Sequence, residues 1–325
     1  MHLDRRLLGW GLFFILVGGI PLAVRTNLLS AEAVGQWANL WPLLLIGWGI
    51  GLLLRNSPID WIGGAITAIT FGVMGGGLLA TGFSGVPFAS GCSSNQPMTA
   101  FATRGGDLAA TAQVNVSFNC GTLRVGTADG TAWSLAGSDR NGPGPRVTST
   151  SGLVSIEPDD SIGFPGGMRS DWTVTLPRTP AIGFGLTLNA GEGSVDLTGA
   201  TISSATATLN AGKLDLAMGA VTHADDVNTT VNAGAAAITL DNGARSVNLS
   251  LNAGSIQLCV PTGTALRATW AGTLGSNNFS AAGLTKVDES TWTSGGFDAS
   301  QPHTELHVTA NAGSFELRIG GTCRA

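Results

Sequence analysis

One tripeptide, Asn-Ala-Gly, recurs at Asn189, Asn210, Asn232, Asn252 and Asn311, and it constrains the fold more than any other feature of the chain. The intervals are 21, 22, 20 and 59 residues, the last close to three periods. The flanks recur as well. Leu186-Thr-Leu-Asn-Ala-Gly leads to Val195-Asp-Leu197, and Leu249-Ser-Leu-Asn-Ala-Gly leads to Ile256-Gln-Leu258. A fixed period near 21 marks a solenoid, in which each repeat buries its apolar face against its neighbours. Period-two alternation turns Leu, Val and Ile inward and Thr, Ser or Asp outward. Asn and Gly tolerate positive φ, which suits the tripeptide to a corner between two strands. Stacked coils would bring the five asparagines into register, where side-chain amides hydrogen-bond as a ladder. Residues 101–325 are therefore expected to form an all-β parallel β-helix of about 20–22 residues per coil, with ten or eleven coils stacked roughly 4.8 Å apart. The stretch 261–302 shows no clean repeat and reads as a distorted or capping portion.

The first 85 residues have a different texture. Three apolar stretches, 7–24, 37–54 and 59–83, carry a single charge between them, Asp60. Their length predicts an all-α transmembrane bundle of three helices, joined by a linker at 86–100 to the β-solenoid. No small-x-small cleavage site follows the first stretch, so it does not read as a removable signal peptide. Arg5, Arg6 and Arg55 fall on one side and Arg25 on the other. That asymmetry places the N-terminus in the cytoplasm and the solenoid outside. Gly47/Gly51 and Gly72/Gly76 are small residues four apart, suited to close helix packing. No ionisable residue sits in the middle of a span, which argues against an ion pathway.

Cys92, Cys120, Cys259 and Cys323 all follow the apolar stretches, and none lies in a zinc-type spacing. They suit one or two disulfides in an oxidising compartment, with the pairing open among three connectivities, or else buried thiols. Ala89-Ser-Gly-Cys92 has the outline of a lipidation motif, but it sits deep in the chain. Charged residues make up only 11% of the chain and net charge is -5. With no run of Lys or Arg, nucleic acid is not an expected partner.

Enzyme chemistry finds little support. His303-Thr-Glu305-Leu-His307 sets two imidazoles and a carboxylate on one side of a strand, which a solvated outer face explains as well as a metal does. Asp159-Asp160 and Asp225-Asp226 lack calcium-loop spacing and read as turns. Carboxylate pairs of the kind glycosidases use are not evident among the outward positions of the repeat. No catalytic, cofactor-binding or metal-binding residue is assigned.

Arg5-Arg6-Leu-Leu-Gly-Trp before an apolar run, Leu40-Trp-Pro-Leu-Leu-Leu-Ile-Gly47 at the start of a second helix, Val260-Pro-Thr-Gly263 and the closing Leu306–Leu317 repeat together resemble the LiaF-like bacterial membrane proteins. The outer portion is also similar to adhesin-type β-solenoid repeats. The resemblance implies a non-enzymatic protein that senses or modulates envelope stress by protein contact, or serves adhesion. A structural accessory subunit of a larger membrane complex is the alternative reading. Expected partners are the lipid bilayer and a membrane or envelope protein.

Overall fold

The computed structural model describes residues 5–26, 28, 41–53, 66–75, 97–139, 143–159, 169–221, 226–241, 243, 245–321 and 323–325. The chain divides into two compact units, Met1–Ser93 and Ser94–Ala325.

In the first unit the expected three-helix transmembrane bundle is not found. Its helices are Arg5–Arg25, Trp41–Leu53 and a stretch at 66–75. Thirteen residues of helix, Trp41–Leu53, span about 20 Å, against a hydrocarbon core of ~30 Å. No helix among the described residues is long and apolar enough to cross a membrane. The described residues are instead dominated by strands, which join in one 20-stranded sheet.

The strands of the second unit run in chain order as β1 (Thr99–Ala100), β2 (Arg104–Asp107), β3 (Thr111–Phe118), β4 (Gly121–Ala128), β5 (Ala132–Asp139), β6 (Arg146–Thr150) and β7 (Leu153–Glu157). There follow β8 (Ser170–Pro177), β9 (Ala181–Leu188), β10 (Glu192–Asp196), β11 (Thr201–Leu209), β12 (Gly212–Met218), β13 (Asp226–Val231) and β14 (Gly234–Leu240). The remainder are β15 (Arg245–Leu251), β16 (Gly254–Val260), β17 (Leu266–Asn277), β18 (Thr285–Lys286), β19 (Thr291–Thr293) and β20 (Thr304–Ile319).

Parallel pairing sorts them into two columns. One runs β7, β3, β9, β11, β13, β15, the first half of β20, then the first half of β17. The other runs β8, β4, β10, β12, β14, β16, the second half of β20, then the second half of β17. Each coil is thus two strands with one corner between them, and the stack has eight such layers rather than ten or eleven. The order of layers is not the order of the chain. After β4 the chain leaves for one end of the stack, builds β5 to β8, and returns to lay β9 and β10 against β3 and β4. After β16 it leaves for the other end, builds β17 to β19, and returns as β20 between β16 and β17.

The corners follow from glycine. Gly121, Gly191, Gly212, Gly234, Gly254 and Gly313 all have φ between 105° and 132°. In each, an added Cβ would fall on the carbonyl oxygen of the residue stacked before it, as Gly212 does on Gly191. Only a residue without a side chain turns here. The interior is a single apolar column of small and medium side chains: Val116, Leu186, Ala207, Leu249 and Val308 stack in register, each at most 3% exposed. At the far end Phe279 closes it, packed on Trp292 and Phe315 at ring-centroid distances of 5.2 and 5.3 Å.

Candidate contact face

Beside the glycine column runs a column of amides. Asn189 Nδ2 donates to Asn119 Oδ1 (2.7 Å), Asn210 to Asn189, Asn232 to Asn210, Asn252 to Asn232 and Asn311 to Asn252, the last four at 2.6 Å. The structure brings the five Asn-Ala-Gly asparagines together and adds Asn119, which sequence reading passed over because Cys120 takes the place of alanine before Gly121. The six amides satisfy each other along the stack, and their role is to hold the corner.

The outer face of the β3–β9–β11–β13–β15–β20 column carries two central rows. Asn115, Gly185, Thr206, Asn228, Asn248 and His307 form one; Ser117, Thr187, Thr208, Thr230, Ser250 and Thr309 form the other. Neither row contains Asp, Glu, Lys or Arg. Repetition spaces neighbours in a row by about 4.8 Å, the separation of adjacent strands. Asn248 Nδ2 donates to Asn228 Oδ1 at 3.0 Å, an amide contact outside the corner column. Near β7 the face dips into a groove of about 410 Å³, lined by Gln113, Asn115, Ser155, Glu157, Thr206 and Thr208 among others. Gln113 and Asn115 lie over Gly183 and Gly185, where any side chain would collide with them.

The opposite outer face is chemically different. Its rows hold Glu192, Lys213, Arg124, Asp215 and Glu316. The C-terminal tail covers part of it. Cys323 is disulfide-bonded to Cys259, with Cα atoms 5.7 Å apart. Its N–H donates to Thr239 Oγ1 at 3.1 Å, and Ala325 N–H donates to Asp215 Oδ1 at 2.6 Å. Beneath the tail Ala237 is only 2% exposed. Cys120 is disulfide-bonded too, whereas Cys92 lies outside the described residues.

His303, Glu305 and His307 do not converge on one point. His303 Nε2 meets Glu305 Oε1 at 2.9 Å, while His307 Nδ1 meets Thr269 Oγ1 at 2.7 Å. The Gln301 carbonyl and then the Glu305 carboxylate hold the His303 pKa above its ordinary value. Glu316 is held below its usual range by hydrogen bonds from Arg318 and Gln257. Asp288 and Asp298 are lowered chiefly by the backbone N–H of Ser290 and Ser300 within their own turns. No group of His, Cys, Asp and Glu suited to a metal ion occurs among the described residues. Asp160, Asp225 and residues 160–168 lie outside those residues.

Within the first unit, a Cβ at Gly47 would press on Thr67 and Ile66, and one at Gly72 on Leu16, so both sit where helices approach closely. Gly75, beside Val17, does the same and was not singled out from sequence. Gly51 falls within Trp41–Leu53, and Gly76 lies outside the described residues.

Residues 96–241 match the family described as the N-terminal domain of toast_rack, DUF2154. That segment runs from β1 through β14. No curated protein matches the chain. Among solved structures, a "putative cell adhesion protein" from Clostridium sporogenes aligns with 67% of this chain and 99% of its own, at 15% identity and a TM-score of 0.46. A "putative adhesin" from Bacteroides fragilis aligns with 66% of this chain and 96% of its own, at 12% identity and a TM-score of 0.27.

Proposed function

We propose that the outer unit is a non-catalytic contact module of the bacterial cell envelope, presenting the two charge-free central rows of this face to a protein partner for envelope-stress modulation or adhesion. The observation that carries this reading is the contrast between the two outer faces. One offers two central rows without Asp, Glu, Lys or Arg across six coils, its charges Asp226 and Glu305 confined to the flanking row, while the other is charged in its central rows and strapped by the C-terminal tail. A charge-poor, regular surface suits the desolvated centre of a protein interface. The Cys259–Cys323 disulfide supports an oxidising, extracytoplasmic setting. A decisive comparison pairs Thr208→Glu/Thr230→Glu with Ser194→Glu on the opposite face. The first is expected to lose crosslinking to its envelope partner and to change the response to cell-wall antibiotics; the second is not. Equal behaviour of both variants and the wild type would remove this reading.

A second reading, a structural accessory subunit, draws on the first unit. Phe14, Ile15, Leu22, Leu45, Ile46 and Leu52 are each more than half exposed there. Such a surface supports association with lipid or with the apolar flank of a membrane protein. A stable co-migrating partner after gentle detergent extraction is its expected signature, and a solitary monomer argues against it.

A further inference from the structure

Four sheet edges end the stack, and three of them are blunted. β6 carries Arg146, with its side chain 61% exposed. β2, itself only four residues, carries Arg104 and Asp107, and the two-residue β1 extends the same edge. β18 is two residues long and holds Lys286 over the Trp292 ring. Short strands and charges of this kind keep sheet edges from pairing with other chains.

The fourth edge has neither device. β17 pairs with β20 along its whole length, but β19 covers only Arg267, Ala268 and Thr269 on its other side. Beyond the bond from Trp270 N–H to the Ser290 carbonyl, no backbone partner among the described residues faces the outer side of 271–277. From 268 to 285 the chain has no charged residue. Leu274, in the middle of this edge, is 81% exposed. The core needs no further coil here, because Trp270 lies over Gly272 and Gly275 and Phe279 plugs the end. What remains open is backbone.

We propose that this edge, 271–277, pairs antiparallel with the same edge of a second copy of the chain, joining two solenoids end to end about a two-fold axis. Unpaired N–H and C=O groups call for another strand, and only polypeptide backbone supplies both at strand spacing. A second copy fits because the segment is self-complementary. No like charges meet across the axis, and the two Leu274 side chains cover each other. An isologous pair of this kind closes on itself, so it yields a dimer and no filament.

The test uses the full chain in mild detergent. Light-scattering mass is expected to report a dimer, and hydrogen exchange at 271–277 to slow as concentration rises. Leu274→Lys sets like charges face to face and should raise the dissociation constant roughly tenfold or more. Because Leu274 is exposed, that variant should melt like the wild type. Thr208→Lys on the flat face should leave the dimer intact. Leu274→Cys should give an oxidised, copy-to-copy crosslink that Thr208→Cys does not. A wild-type monomer, a dimer indifferent to Leu274→Lys, or a foreign strand found on this edge would each overturn the proposal.

Discussion

Asn311 donates its side-chain amide to Asn252 at 2.6 Å although 59 residues separate them. The pair are neighbours in the stack because everything between them is an excursion to the end of the solenoid and back. The same holds for Asn189 and Asn119, 70 residues apart.

Removing an amide from the middle of the column strands two others. Asn232→Ala leaves Asn210 Oδ1 without its donor and Asn252 Nδ2 without its acceptor. A loss of about 1–3 kcal/mol is expected in urea unfolding. Asn311→Ala breaks one bond at an exposed site and should cost less.

The glycine column is stricter still. Gly212→Ala places a methyl group against the Gly191 carbonyl oxygen at a φ of 116°. Backbone must shift in two coils, so a cost of more than about 3 kcal/mol, or failure to fold, is expected. Gly263→Ala is the comparison. It also has positive φ but open space around it, and about 1 kcal/mol is expected there.

One inward position has the wrong chemistry. Thr229 is 1% exposed, stacks between Ala207 and Leu249, and its hydroxyl has no hydrogen-bond partner. Thr229→Val keeps the shape and removes the buried hydroxyl, and it should stabilise the protein by about 1 kcal/mol. An unchanged or lowered unfolding midpoint would show that the hydroxyl is satisfied.

His303 predicts a pH dependence of definite sign. Its folded-state pKa is raised, by the Gln301 carbonyl first and the Glu305 carboxylate second. The stability it contributes is fully present below the unfolded value of about 6.5 and is lost as pH rises through the higher folded value. NMR titration should find His303 protonated to higher pH than an ordinary imidazole, and His303→Gln should flatten stability across that window.

Local pattern was legible in the chain wherever function of a residue depended on its near neighbours. Alternation in Thr208-Leu209 and Ser250-Leu251 tells which side chain faces in, and Asn-x-Gly marks a corner that needs positive φ. Asn119 was hidden only because Cys120 replaced alanine. The contact face was legible in part: Thr187, Thr208, Thr230, Ser250 and Thr309 each stand two residues before a repeat asparagine, so a column of asparagines puts them in one row, whereas Ser117 joins it only through the pairing of β3 with β9.

By itself, then, the sequence determined the repeating unit, its corner and its inside-out alternation, because these are properties of a short stretch of backbone. Tertiary structure decided the order of the coils, the number of layers, the free edge at 271–277 and the short helices of the first unit. The entropy of closing a loop grows only slowly with its length. A gap of 59 residues therefore does not say whether it spans three coils or one step of the stack, and only the pairing of β20 against β16 settles it.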